Sequence, residues 1–283
     1  IKKQTYQNFE VLLINSSSTD NSFDVVNKWI FKNGLKKKFK NYYKKTSLPS
    51  TSKNIGIKCS KYDWIAFMDC DLIISKSWLQ LQIDYLDKHK TFFVMGLCHF
   101  RGYDLMDKVY VAQTWGFNSK IPVIPSSIFH RSIFRLVGKF QKARAGYDKV
   151  WKKKLANKNN NLNINDKCII SYNKYNHSDG YIKFLLKIFR YAYSSYSVKE
   201  NSHPKIYFLA FLFFSLSFFI NTTYGLVLLL SYLILRSFIF PLKKSKKIDF
   251  RKFNIIYLFI LPIVGISIDL TRFVAYVLSF MKN

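Results

Sequence analysis

Asp63-Trp64-Ile65-Ala66-Phe67-Met68-Asp69-Cys70-Asp71-Leu72-Ile73-Ile74 decides how this chain is read. Residues 63–68 are a short apolar run, the signature of a buried strand, and the run ends on Asp69, Cys70 and Asp71. Two carboxylates one residue apart, set where a strand gives way to a loop, can both turn toward a divalent ion. One would bind directly and the other through water or a hydroxyl. Mg²⁺ or Mn²⁺ suits such hard oxygen ligands when a substrate diphosphate completes the sphere. Aspartates that merely cap a strand end give the same local pattern, so the pair has to be weighed with its surroundings.

Upstream, residues 10–15 (EVLLIN) form another short apolar run, followed by Ser16, Ser17, Ser18, Thr19 and Asp20. That reads as a buried strand, a loop and a helix N-cap, and residues 24–31 continue with helical spacing. Strands alternating with helices predict an α/β fold with a mostly parallel, mixed sheet. In such sheets ligands bind beyond the carboxyl ends of the strands, where both polar clusters lie. The chain opens on Ile1 without an initiator Met, so a first strand is expected to be missing from its N-terminal side.

Composition narrows the class. Hydrophobic residues make up 49% of the 283-residue chain and aromatics 18%, enough to bury a core and to exclude a disordered chain. With 10 Gly and 6 Pro, a collagen-like sequence is excluded too. Cys59, Cys70, Cys98 and Cys168 form no CxxC pair, so reduced thiols are expected. The formal charge of +29 raises a nucleic-acid partner, but its placement argues against one. Lys243, Lys244, Lys246 and Lys247 adjoin a strongly apolar segment, the position in which basic clusters attract anionic lipid head groups.

That apolar segment, residues 206–235, holds no formal charge. As one helix it would be ~45 Å long, well beyond a ~30 Å hydrocarbon core. Asn221, Thr222, Thr223 and Gly225 near its middle predict a turn between two helices. Lysines flank both ends, so the positive-inside rule puts both ends in the cytoplasm, which a hairpin satisfies. A further apolar segment covers 255–280, with Asp269 and Arg272 three apart, placed to pair with each other or to face a protein interior. Residues 180–196 alternate as an amphipathic helix lying in the membrane interface. The expected organisation is a catalytic domain over 1–178, an interfacial helix and linker over 179–203, and a transmembrane region over 204–283 with segments 206–221, 224–241 and 255–280. The protein is expected to be multi-pass, with its catalytic domain on the cytoplasmic side.

Four motifs recur in one order: Gln4-Thr5-Tyr6-Gln7-Asn8-Phe9-Glu10-Val11, Ser18-Thr19-Asp20-Asn21-Ser22, Lys53-Asn54-Ile55-Gly56-Ile57 and Phe67-Met68-Asp69-Cys70-Asp71. Trp78-Leu79 follows them. This series resembles the family 2 glycosyltransferases of the GT-A fold, over about residues 1 to 155. The resemblance implies an inverting transfer of a sugar from a nucleotide-diphosphate donor, with Asp69 and Asp71 holding the Mg²⁺ or Mn²⁺ that bridges the diphosphate.

The resemblance also assigns residues. Asn15 stands where the family has an aspartate that contacts the nucleobase, and an amide changes the donor and acceptor pattern offered to a base. Ser17 lies in the same donor loop, and Asp20 matches the serine-threonine-aspartate element or simply caps a helix. Lys53, where an arginine is more usual, would face the diphosphate as a point charge. Asn54, Gly56 and Asp69 complete the substrate-binding set, with Gly56 allowing close backbone approach. The general base is expected in Arg144-Ala145-Gly146-Tyr147-Asp148, where Tyr147 has replaced the family's Glu and Asp148 remains. His177, ahead of the interfacial helix, is either a phosphate contact or a surface residue. Gln113-Thr114-Trp115 lacks the Gln-x-x-Arg-Trp element of processive synthases, which implies transfer of one sugar per encounter. The expected partners are a nucleotide sugar, a lipid-linked or cell-surface glycan acceptor and membrane lipids, with no nucleic acid. The alternatives are a polyprenyl-phosphate glycosyltransferase or a catalytically inactive scaffold of the same fold.

Overall fold

A computed structural model describes residues 1–16, 18–45, 48–172, 180–198, 204–245 and 255–281. The chain folds as two compact units, one of residues 1–98 with 122–170 and one of residues 99–121 with 171–283.

The first unit opens with β1 (Val11–Asn15), α1 (Ser22–Lys32) and β2 (Phe39–Tyr43). β1 and β2 pair in parallel, Val11 opposite Phe39 and Asn15 opposite Tyr43. Such parallel pairing requires the crossover that α1 supplies. α2 (Pro49–Cys59) follows, with proline in its first turn, where a missing N–H costs nothing. β3 (Trp64–Ala66) and β4 (Leu72–Ile73) bracket the Asp69-Cys70-Asp71 turn, and α3 (Trp78–His89) leads to β5 (Phe93–Phe100). β5 is apolar almost throughout and nearly all buried, as a strand inside a sheet covered on both faces must be. At Gly96 an added Cβ would sit 2.7 Å from the Ser126 carbonyl oxygen and 2.8 Å from that of Cys168, so no larger residue fits.

α4 (Leu105–Trp115) separates β5 from β6 (Ser119–His130), and then come α5 (Arg131–Val137), α6 (Tyr147–Asn159) and β7 (Ile164–Tyr172). The larger sheet runs β3-β6-β5-β7-β4 and is mixed: β3 lies antiparallel to β6, and β5 parallel to β7. The aromatic heart of this unit joins Phe67, Phe129, Phe134, Phe140 and Trp151. Trp151 meets Phe129 edge-on at 5.1 Å between ring centroids and stacks on Phe134 at 5.4 Å.

The second unit holds α4 together with α7 (Tyr181–Ser197), α8 (Pro204–Ile220), α9 (Thr222–Ile234), a π-helical turn over Leu235–Ile239, α10 (Phe240–Lys244) and α11 (Tyr257–Met281). Its core draws Val109, Tyr110 and Ala112 from α4, Phe184 from α7, and Tyr257, Leu261, Val264 and Ile268 from α11. Residues 99–121 thus pack with the C-terminal helices, although the chain order sets them inside the expected catalytic segment. Asn221 separates α8 from α9, where the turn was expected, and its side chain caps α9 by accepting from the Thr223 and Tyr224 amides. Among the described residues two helices are long and apolar enough to cross a membrane, Thr222–Lys244 and Tyr257–Met281. α8, with 17 residues, is about 26 Å long and falls just short of a ~30 Å core.

Asp269 pairs with Arg272, as its spacing suggests, but also with a partner from the preceding helices. Arg236, in the π-helical turn, donates from Nε to Asp269 Oδ2 at 2.5 Å and from Nη2 to Oδ1 at 3.2 Å. Tyr232 donates to the same carboxylate at 2.9 Å, and Arg272 Nη1 lies 3.5 Å from it. Gln113 on α4 completes the set, accepting from Arg236 and donating to the Leu261 carbonyl at 2.8 Å. Its amide passes beside Gly265, where a Cβ would come within 3.3 Å.

Candidate active site

Within the first unit, three segments converge on the turn after β3. Phe67, one of the aromatic cluster, leads directly into Met68 and Asp69, so the core fixes where the aspartates begin. On α6, Tyr147, Trp151 and Leu155 recur at every fourth residue and are all buried. Trp151 also donates from Nε1 to the Gly138 carbonyl at 2.6 Å, and Tyr147 meets Phe140 edge-on at 5.7 Å. The same cluster therefore positions the turn and the first turn of α6.

α2 is tied to the segment before α6 by two side chains that each bond the backbone twice. Ser50 donates to the Ala143 carbonyl at 2.8 Å and accepts from the Ala143 amide at 2.9 Å. Asn54 donates to the Phe140 carbonyl at 2.8 Å and accepts from its amide at 3.1 Å. Between them stands Lys53, whose Nζ lies 3.1 Å from Asp69 Oδ1. The Lys53 side chain is 15% exposed and that of Asp69 35%, so the cation comes from below and the carboxylate faces outward. Burial pushes the Lys53 ammonium down, but the Asp69 carboxylate and the hydrogen bond with Tyr147 outweigh it and hold it above the ordinary lysine range. Tyr147 shows the converse: burial pushes its phenol up against the downward pull of Lys53.

The other residues singled out in the sequence fall around this centre. Asn15 ends β1, where its Oδ1 accepts from the Ser18 amide at 3.0 Å and bends the loop. Ser16 and Ser52 bond hydroxyl to hydroxyl, which joins that loop to α2. Asp20 is exposed and accepts from the Ser22 amide at 3.0 Å, a local turn ahead of α1, and its bonds with Ser22 hold its carboxyl below the usual range. Gly56 lies in α2, where an added Cβ would meet only Ile14 at 3.9 Å, so the chain's own packing does not require glycine there. Asp71 is exposed in the turn, and Asp148 is half-buried in the first turn of α6. Ser17 and His177 lie outside the described residues. The influence of Lys53 on the Tyr147 phenol is not legible in the sequence, although the spacing of Tyr147, Trp151 and Leu155 already marks one buried face.

The model of the family described as "Glycosyl transferase family 2" matches residues 1–159, more than half of the chain. The chain belongs to glycosyl transferase family 2. It is 33% identical over 90 residues to the Escherichia coli UDP-Glc:alpha-D-GlcNAc-diphosphoundecaprenol beta-1,3-glucosyltransferase WfaP, a match covering 32% of this chain and 34% of that protein. An uncharacterized Haemophilus influenzae glycosyltransferase is 34% identical over 84 residues, 29% of this chain and 32% of its own. One from Rickettsia bellii is 32% identical over 93 residues, 33% of this chain and 13% of its own. The matches thus span about a third or less of these relatives. Among solved structures, the Pyrobaculum calidifontis mannosyltransferase PcManGT, in complex with GDP-Man and Mn²⁺, superposes with a TM-score of 0.51 at 15% identity, covering 71% of this chain and 59% of that one. This likeness bears on the fold: an α/β, GT-A-like architecture with a mixed sheet.

Proposed function

We propose that the protein is a membrane-bound, inverting, metal-dependent and non-processive glycosyltransferase that moves a sugar from a nucleotide-diphosphate donor to a lipid-linked or cell-surface glycan acceptor. The observation that carries this reading is the Asp69-Cys70-Asp71 turn with Lys53 set against its first carboxylate, inside a family 2 domain. Among the described residues no group of three or more His, Cys, Asp or Glu gathers into a complete metal cage. A pair of carboxylates fits Mg²⁺ or Mn²⁺ when substrate phosphates supply further oxygens, and Asp69 and Asp71 would hold it. When bound, such an ion neutralises charge on the departing diphosphate.

The chain's own residues have distinct tasks in this scheme. Lys53 adds a positive charge beside the diphosphate. Asn15 and the loop with Ser17 and Asp20 border the nucleoside, and Gly56 leaves α2 smooth for close approach. Asn54 acts from behind, holding α2 against Phe140 so that Lys53 stays in place. Asp148 accepts the proton of the acceptor hydroxyl as it attacks the anomeric carbon from the face opposite the diphosphate. The apolar helices Thr222–Lys244 and Tyr257–Met281 support membrane anchoring, and the basic residues beside them support a cytoplasmic catalytic domain. A lipid-linked acceptor is also what WfaP's name describes for that protein.

The test is to incubate membranes carrying the protein with a panel of nucleotide sugars and measure which nucleoside diphosphate is released. Asp71→Asn and EDTA should each abolish release while the fold persists. Undiminished turnover in either case removes the metal assignment.

A further inference from the structure

The contact between Lys53 and Asp69 raises a question that the catalytic reading leaves open. A carboxylate meant for a divalent ion is here within 3.1 Å of an ammonium group from the same chain. A lysine head and a divalent ion compete for the same oxygen charge. The lysine cannot drift away cheaply, because α2 is stapled on both sides of it by Ser50 and Asn54. Its side chain is largely buried, and the buried Tyr147, set edge-on against Phe140, is close enough to Lys53 for each to act on the other's ionisation. Tyr147 is a phenol whose ionisation burial opposes, whereas Asp69 brings a full negative charge to the ammonium.

We propose that Lys53 is a resident counter-cation of Asp69 that holds the metal site weak until a diphosphate arrives, when the ammonium turns to the phosphate and releases the carboxylate, with Tyr147 as the positioning residue that keeps Lys53 within reach of both. The proposal rests on the metal-dependent reading above. It makes binding of metal and diphosphate mutually reinforcing through one side chain, as linkage between sites requires. The gain has an electrostatic origin: removing one positive charge in contact with a ligand carboxylate at a partly buried site strengthens cation binding.

The test measures Mn²⁺ binding to the full chain in detergent by titration calorimetry, first alone and then with inorganic pyrophosphate present. In the wild type, Mn²⁺ alone should bind weakly and pyrophosphate should tighten it. Lys53→Met should bind Mn²⁺ alone about tenfold more tightly, a shift of the size one lost charge contact gives, and should lose most of the pyrophosphate enhancement. Lys53→Gln, which keeps a polar head, guards against a packing defect and should behave alike. Tyr147→Phe should move both quantities in the same direction by less. If Asp71→Asn abolishes Mn²⁺ binding while both Lys53 variants match wild type, the metal reading stands and the counter-cation role is wrong. If no form binds Mn²⁺ with or without pyrophosphate, both fall.

Discussion

Tyr147 and Asp148 are neighbours in the chain with opposite surroundings. Tyr147 is 7% exposed, against Phe140 and Lys53, and burial pushes its phenol above an already high value. It stays protonated near neutrality and cannot serve as a base there. Asp148, half-buried at the start of α6, has the chemistry for the task. If Asp148 takes the acceptor proton as proposed, Asp148→Asn should lower the single-turnover rate by ~10²–10⁴ with donor affinity nearly unchanged, because it removes an interaction made only as the proton leaves. Tyr147→Phe should cost far less. Rapid-quench rates and donor titrations on both variants decide it, and wild-type turnover by Asp148→Asn would send the search for the base elsewhere.

At the scale of elements, α6 carries Tyr147 and Asp148, and Trp151 is its anchor. Its indole touches Phe129, Phe134 and Phe140 and bonds the Gly138 carbonyl. Trp151→Ala should destabilise the chain by ~3–5 kcal/mol, the usual range for emptying an aromatic core position. Since the same helix carries Tyr147 and Asp148, transfer should fall even where the variant remains folded. Trp151→Phe, which refills most of the volume, should recover much of both. Thermal melts and turnover of the two variants in detergent give the comparison.

For the molecule as a whole, the polar set of Arg236, Asp269, Tyr232 and Gln113 pins helices that are otherwise apolar. Arg236 is 6% exposed, so losing Asp269 strands it, whereas losing Arg236 leaves Asp269 with Tyr232 and Arg272. Asp269→Leu should cost about 3–5 kcal/mol and Arg236→Met less, and adding Arg236→Met to Asp269→Leu should recover part of the loss, because it removes the stranded buried cation. Melting temperatures of the three variants test this, and a double variant no better than Asp269→Leu would show that the set acts through more than its charges. Topology is tested by single cysteines in a chain lacking Cys59 and Cys70. The remaining Cys98 and Cys168 are buried, with thiols pushed up to about 12 by that burial, and should not react. A cysteine at Thr222 should be labelled from outside the cell and one at Lys243 only after permeabilisation. Equal labelling of the two would rule out the hairpin.

Much of this was legible in the residues alone. Period and punctuation are local properties, so β1, α1, the strand before Asp69, the Asn221 turn and the two long apolar helices could be read from spacing, charge and length. The aspartate pair stands out in the sequence too, but a strand-end cap gives the same local pattern, so its proposed role rests on the motifs around it. Contacts between residues far apart in the chain were not legible. Nothing in the spacing of Lys53, Asp69 and Tyr147 says that they meet; they do so because Ser50 and Asn54 staple α2 to the backbone of Ala143 and Phe140, and an aromatic cluster built from four segments holds α6. The pairing of Asp269 with Arg236, and the bridge Gln113 makes from Arg236 to the Leu261 carbonyl, depend in the same way on which helix faces pack. Sequence determined the elements and the chemical groups they carry, whereas only tertiary packing decided which of those groups stand within hydrogen-bonding distance, since that proximity is set by burying surfaces contributed by the whole chain.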